Sequence, residues 1–260
     1  MKSFSASSFA LDESVTWQAP SERPQPGNDF ILPVPQYTST PVNSCGKLID
    51  LNDFIDASKS SVPSSEDIIF FTPGTQILTQ YGDRPVETLR VGDMVVTRDQ
   101  GLRPIKWLGQ RVVRATGHQA PVRLRGLDET GLLVSPKHRV LFTGSMSEIL
   151  FSQSEILVEA ADLVNGDDVV REDYEDITYI HLVLDHHEVI YANGVATESL
   201  YLNETVLDVF TAEQREEIFD VFPHIRSTGY THSGTARECI DTRQAANLLA
   251  RCDHTRALAG

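Results

Sequence analysis

Residues 70–101 read FFTPGTQILTQYGDRPVETLRVGDMVVTRDQG. Pro73-Gly74 turns the chain out of an apolar run, and TQILTQ then alternates as a strand with one buried face. Tyr81-Gly82-Asp83-Arg84-Pro85 is turn chemistry, and MVVTRD is a second strand. Between them, VETLRVGDMVV (86–96) has a short Leu-containing helix or turn ending at Gly92-Asp93. Glycine accepts a left-handed helix end, and aspartate favours the turn beyond it. The pattern returns as VEAADLVNGDDVV (158–170), with Gly166-Asp167 in the same place. The shared Val-Glu start, leucine, Gly-Asp and Val-Val exit point to an internal duplication, and so to a β domain with a pseudo-two-fold axis.

Working outward, the texture stays β-rich from Ile68 to Leu202. IKWLGQRVVRA, APVRLRG, GLLVSP, HRVLFTG, DDVVRE, ITYIHLVLD, HEVIYANG and ATESLYL are short runs separated by turn signals. Their spacing leaves no room for helical crossovers, so an all-β domain over 67–203 is expected. Residues 1–66 are rich in Ser, Pro, Asn and Asp and read as an extended, low-complexity arm, with GKLIDLNDFI the segment able to dock. Residues 204–260 read as a small helical tail. Thr211 and Gln214 make a capping-box pattern, AEQREEIFDVF places Ile218, Phe219 and Phe222 on one face, and Pro223 stops it. TRQAANLLAR is a second helix beginning after Asp241.

The net charge of -15 over 260 residues disfavours nucleic acid or an anionic membrane as partner, since both need a basic patch. No apolar run approaches the ~20 residues of a membrane span. The N-terminus is not a convincing secretory signal, which leaves a cytoplasmic location or unconventional export. Cys45, Cys239 and Cys252 lack metal-site spacing and cannot all pair within one chain.

Two clusters can carry chemistry. In LLVSPKHRVLF, Ser135 and His138 flank a Pro-Lys turn, which lets a hydroxyl and an imidazole share one pocket. In LDHHEVIYANG, strand alternation places Asp185 and His187 on one face, with His181 on that face too. Three histidines near a carboxylate invite a zinc reading, but no spacing matches a structural site. No metal or cofactor is expected, and an acid–base pair of Asp185 and His187 is the better reading.

Taken in order, these pieces resemble the Hint module shared by inteins and the autoprocessing part of hedgehog proteins, most of all bacterial Hint proteins with a helical tail. FFTPGTQILTQYGDRPVETLRVGDMVVTRDQG matches the N-terminal block, with Phe70 where the family has its cysteine. VSPKHRVLF matches the Thr-x-x-His block with Ser135 for threonine, and HEVIYANGV matches the closing block. The resemblance implies a pseudo-symmetric β horseshoe and an acyl shift at Ile69-Phe70, with the chain's own N-terminal segment as intramolecular substrate. It implies that His138 protonates the departing nitrogen, that Ser135 holds the peptide, and that Asp185 with His187 assists a later proton transfer. A phenyl ring has no atom to attack a carbonyl, so the chain as written is expected to be inactive. Splicing is not expected either, because NGVATESLY lacks the His-Asn ending that inteins have. Gly109 stands where hedgehog modules carry an aspartate, so sterol transfer is unsupported. The alternatives are a degenerate Hint scaffold serving as a binding or presentation module and, less favoured, a hydrolase built on Ser135, His138 and Asp185.

Overall fold

The structure is a computed structural model that describes residues 69–125, 131–228 and 234–259, the stretch 253–259 as backbone only. The arm expected over 1–66, with its docking segment, lies outside the described residues.

Strand β1 (Gln76–Thr79) turns back into β2 (Gly82–Pro85). YGDRP has the composition of a turn throughout, but the chain reverses within two residues. The Thr79 hydroxyl donates to the Gly82 carbonyl (2.7 Å) and accepts the Tyr81 N–H (3.1 Å). Residues 82–85 are therefore released to pair with β1 alone, and Pro85, which has no N–H to give, is tolerated on such an edge. A 3-10 turn at Val86–Thr88 comes next, then β3 (Met94–Thr97), β4 (Gly101–Pro104), the long β5 (Trp107–Ala115), β6 (Val122–Leu124) and β7 (Leu132–Val134).

The second half repeats this plan. It runs β8 (Arg139–Thr143), helix α1 (Ser145–Phe151), β9 (Glu155–Glu159), a 3-10 turn at Ala160–Leu163, and β10 (Val169–Arg171). The long β11 (Tyr174–Val183), β12 (Val189–Ala192) and β13 (Val195–Glu198) complete it. The echoed motifs become equivalent structures, a 3-10 turn and then a positive-φ glycine leading into a strand. Gly92 sits at φ 93° and Gly166 at φ 78°. The long strands β5 and β11 pair antiparallel from Trp107↔Val183 to Val113↔Ile177, as two strands related by a two-fold axis perpendicular to them do. Helix α1, inserted between β8 and β9, has no counterpart in the first half and was not anticipated.

The main sheet runs β14-β9-β8-β13-β12-β1-β3-β4, with β2 on β1, where β14 is Glu238–Cys239. The fold is all-β with a helical C-terminal part, as the alternating runs suggested. That part comprises α2 (Glu204–Leu207), α3 (Ala212–Val221), α4 (Ile225–Thr228) and α5 (Thr242–Ala259). Thr211 and Gln214 form both hydrogen bonds of the capping box. Of the anticipated apolar face, Ile218 and Phe222 are buried and Phe219 is half-buried.

Two apolar clusters divide residues 69–71 between them. The larger includes Phe71, Ile77, Val95, Val134, Ile156, Ile180 and Ile190. The other joins Ile69, Phe70, Trp107 and Tyr179 to Phe210, Ile218 and Phe222 of the tail. The tail therefore shares a core with the segment that carries Phe70.

Asn193 ties the two ends of the β domain together. Its backbone is left-handed at φ 48°. Its Oδ1 accepts the Gln76 N–H (2.6 Å) and its Nδ2 donates to the Gly131 carbonyl (2.7 Å). Asn193→Ala should cost about 2–3 kcal/mol through two lost hydrogen bonds and a conformation disfavoured for alanine. Urea unfolding should show a lower midpoint at an unchanged slope.

Candidate functional site

Residues 69–71 thread between β7 and β11. The Phe71 N–H donates to the Ile180 carbonyl (2.9 Å), the Ile180 N–H donates back to Phe71 (2.8 Å), and Phe71 also bridges Val134. This pairing presents the Ile69-Phe70 peptide to side chains on both sides. The Phe70 N–H donates to Ser135 Oγ (3.1 Å), and the Ser135 N–H donates to the Phe70 carbonyl (3.2 Å). His181 Nδ1 lies 3.1 Å from the Ile69 carbonyl oxygen. A carbonyl can only accept, so that nitrogen carries the proton and donates. The amide is thus gripped at its nitrogen by a hydroxyl and at its oxygen by an imidazole.

His138 stands on the same turn as Ser135, its N–H donating to the Ser135 carbonyl (3.1 Å). Its ring packs edge-on against Phe71, and its Nε2 meets Thr197 Oγ1 at 2.5 Å. The Thr197 hydroxyl donates its one proton to the Arg139 carbonyl (2.8 Å), so Nε2 supplies the proton of the His138–Thr197 bond. Nδ1 is left as a bare lone pair, buried and without a hydrogen-bond partner. Burial pushes the His138 pKa down to about 4, and the nearby Glu198 carboxylate and Phe70 backbone oppose the shift. Burial pushes His181 down further, to about 3.

His181 belongs to the site, although the sequence placed it only on the Asp185 face and gave it no role at the Ile69-Phe70 peptide. Its ring lies 4.1 Å from Phe70, 4.8 Å from Phe210 and 6.2 Å from Trp107, centroid to centroid. Within this aromatic box its Nε2 finds no partner. An unpartnered buried nitrogen costs about 1–3 kcal/mol and calls for a functional reason. The signal was present in ITYIHLVLD, where one imidazole interrupts an otherwise apolar strand.

His187 and Asp185 are placed elsewhere. His187 Nδ1 accepts the Ala236 N–H (2.9 Å), so its Nε2 donates to Glu198 Oε2 (3.0 Å). Its carboxylate partner is Glu198, not Asp185, and neither bond reaches the Ile69-Phe70 amide. Glu198 is fully buried. Burial alone would raise its pKa, but the His187 hydrogen bond and the Arg139 charge outweigh that and hold it below the ordinary carboxylate range. His187 lines a separate surface cleft of about 330 Å³ with Asp99, His186, Glu188 and Arg237. Asp185 is half-buried, and its Oδ1 has no hydrogen-bond partner. Strand alternation does not apply here, because residues 184–188 form a bend between β11, which ends at Val183, and β12, which begins at Val189. Among the described residues, no three His, Cys, Asp or Glu side chains converge so as to hold a metal ion.

Phe70 is 5% exposed and stacks on Tyr179 at 4.7 Å. The hydroxyl nearest along the chain, Thr72 Oγ1, is spent on the Leu133 carbonyl (2.9 Å). Gly109 pairs with His181 across β5 and β11. A Cβ at Gly109 would overlap the Trp107 indole, so the ring fills the space that a carboxylate there would need.

The Hint domain family profile matches residues 69–204, just over half of the chain. The chain belongs to the Hint domain family. Its Hint domain spans the gripped peptide, both long strands and the His187–Glu198 pair, and it has the general architecture of autoprocessing domains. Among solved structures, it is similar to a bacterial intein-like domain from Clostridium thermocellum. That likeness is at 15% identity, covering 49% of this chain and 96% of the other, with a TM-score of 0.36. It is also similar to the gp41-1 intein, at 14% identity, 50% and 97% coverage, and a TM-score of 0.34. No curated protein matches the chain.

The two depressed histidines make the fold acid-sensitive. Both are neutral when folded and charge on unfolding below about pH 6.5, so the unfolded chain binds more protons there. Stability should fall as the pH drops from about 6.5 towards 4 for His138 and towards 3 for His181. Glu198, held low by its partners, adds to the loss below its ordinary value of 4.5. Urea midpoints measured from pH 7 to 4 should show the decline. His138→Gln should flatten it between pH 6.5 and 4, and an unchanged slope in that variant would contradict the assignment.

Proposed function

We propose that this Hint domain is a self-cleaving module directed at the Ile69-Phe70 peptide and arrested, in the chain as it stands, by Phe70. The observation that carries this reading is the two-sided grip on one amide, Ser135 Oγ on its nitrogen and His181 Nδ1–H on its carbonyl oxygen. An ordinary strand peptide is bonded to other backbone groups, whereas this one is held by side chains that can respond to a change in charge.

With a cysteine at position 70, the chemistry closes without an external reagent. His138 Nδ1, an unprotonated lone pair at neutral pH, takes the thiol proton. The sulfur then attacks the Ile69 carbonyl carbon. Negative charge develops on the carbonyl oxygen, where His181 Nδ1–H already points, and a preorganised donor there is worth about 3–4 kcal/mol in comparable sites. The C–N bond breaks as His138 returns the proton to the residue-70 nitrogen, and Ser135 keeps that nitrogen in place. The product is a thioester carrying the N-terminal segment, which water or another nucleophile then releases. His187 and Asp185 take no part in this first step.

Phe70 stops the sequence before it begins, because its ring offers no lone pair. Its packing against Tyr179 and His181 also favours a second reading, a Hint scaffold retained for binding or presentation.

Phe70→Cys discriminates between the two. The full-length variant should yield fragments 1–69 and 70–260 by mass spectrometry, faster with added thiol, and a further His138→Ala change should leave it intact. The protein with Phe70 should stay whole under all these conditions. A folded Phe70→Cys chain that never cleaves would favour the binding scaffold.

A further inference from the structure

Helices α2 and α3 come after the Hint domain's last strand, yet they complete its site. Phe210 lies between them, and its position is fixed from both sides. Its N–H donates to the Leu207 carbonyl (3.2 Å), and the next residue, Thr211, caps α3 with both bonds of the capping box. Seven residues along, Glu217 Oε2 accepts the Trp107 indole N–H (3.1 Å). This bond ties α3 to β5, and the Phe210 ring meets Trp107 edge-on at 5.2 Å. So held, Phe210 packs edge-on over His181 at 4.8 Å, the imidazole that grips the Ile69 carbonyl. Phe210, Trp107 and Ile69 are each about 95% buried in the same apolar cluster.

We propose that Phe210 is a specificity-determining lid residue: with Trp107 it closes the pocket around His181 and the Ile69 carbonyl, and so restrains hydrolysis of an acyl group held there. This rests on the self-cleavage reading. In a Phe70→Cys chain the bond at stake is the thioester between Sγ and the Ile69 carbonyl carbon. In hydrolysis, the water oxygen bonds to that carbon, the C–S bond breaks, the sulfur leaves as thiolate, and a water proton restores the thiol. Ile69 ends as a carboxylate. A lid that excludes water slows this route more than it slows formation of the thioester, which uses only groups already inside the pocket. It also keeps the unpartnered His181 Nε2 dry, in keeping with the low pKa that burial gives this imidazole.

The test compares full-length Phe70→Cys with Phe70→Cys/Phe210→Ala and Phe70→Cys/Phe210→Leu. Release of fragment 1–69 is monitored by mass spectrometry, without thiol in heavy-oxygen water and at saturating thiol. Phe210→Ala should raise incorporation of heavy oxygen at Ile69 by about tenfold or more, and leave the thiol-driven rate, which reports thioester formation, little changed. Phe210→Leu, which refills the space, should restore slow hydrolysis. Equal hydrolysis in all three would overturn the lid.

A second measurement uses the chain with Phe70. Side-chain NMR should show the His181 pKa rising from about 3 towards 6.5 in Phe210→Ala, as water reaches Nε2, with that of His138 unmoved. An unmoved His181 would overturn the lid even if Phe70→Cys never cleaves, an outcome that by itself defeats only the self-cleavage reading.

Discussion

The backbone pairing of Phe71 with Ile180 is the constraint on which the site depends. Two hydrogen bonds of 2.9 and 2.8 Å pin one residue of the segment preceding β1 to the long strand of the second repeat. Because side chains alternate along an extended chain, fixing Phe71 fixes its neighbours. Phe71 enters the larger core beside Ile77 and Val134, and Phe70 enters the smaller one beside Tyr179 and the tail. The amide between Ile69 and Phe70 then falls between Ser135 of the first repeat's turn and His181 of the second repeat's strand. A slip of one residue would exchange the two phenylalanines and take the amide out of both grips.

The site is built from groups that burial opposes, and each is compensated differently. Glu198 keeps its charge in the interior because an imidazole, a backbone N–H and a guanidinium surround it. Removing one partner of such a group costs far more than the pair contributes. His138 and His181 instead stay neutral, and each leaves one ring nitrogen without a partner. Nitrogens of that kind suit proton movement more than stability. His181 reaches the Ile69 carbonyl through its other nitrogen, Nδ1, and His138 shares the turn of Ser135, whereas the His187–Glu198 pair is satisfied and lies by another cleft.

Much of the fold was legible because it rests on local rules. Two Gly-Asp motifs needed left-handed glycines and received them at Gly92 and Gly166, and the duplication they implied is seen in the antiparallel pairing of β5 with β11. The capping box at Thr211 is an interaction between residues three apart, and it formed as expected. What failed was non-local. Residues 82–85 were read as a turn because Gly, Asp and Pro favour turns, yet pairing with β1 made them a strand. Helix α1 has no periodic signal long enough to separate it from a loop.

The site divides in the same way. Ser135 and His138 could be named from sequence because they sit on one turn, and Phe70 because the Hint resemblance puts the family's cysteine at its position. Pairing His187 with Asp185 assumes an extended strand, but they fall in the bend between β11 and β12, and alternation gives an orientation only within a strand. Sequence by itself determined the alternation, the duplication, the capped tail and the absence of a nucleophile at residue 70, each a matter of residue chemistry and short spacing. Only the tertiary structure decided that His181 holds the Ile69 carbonyl, that Glu198 takes His187, and that Phe210 closes the pocket. Those contacts join residues 11 to 112 positions apart or rings on separate elements, and they exist only once the two repeats and the tail bury their apolar faces together.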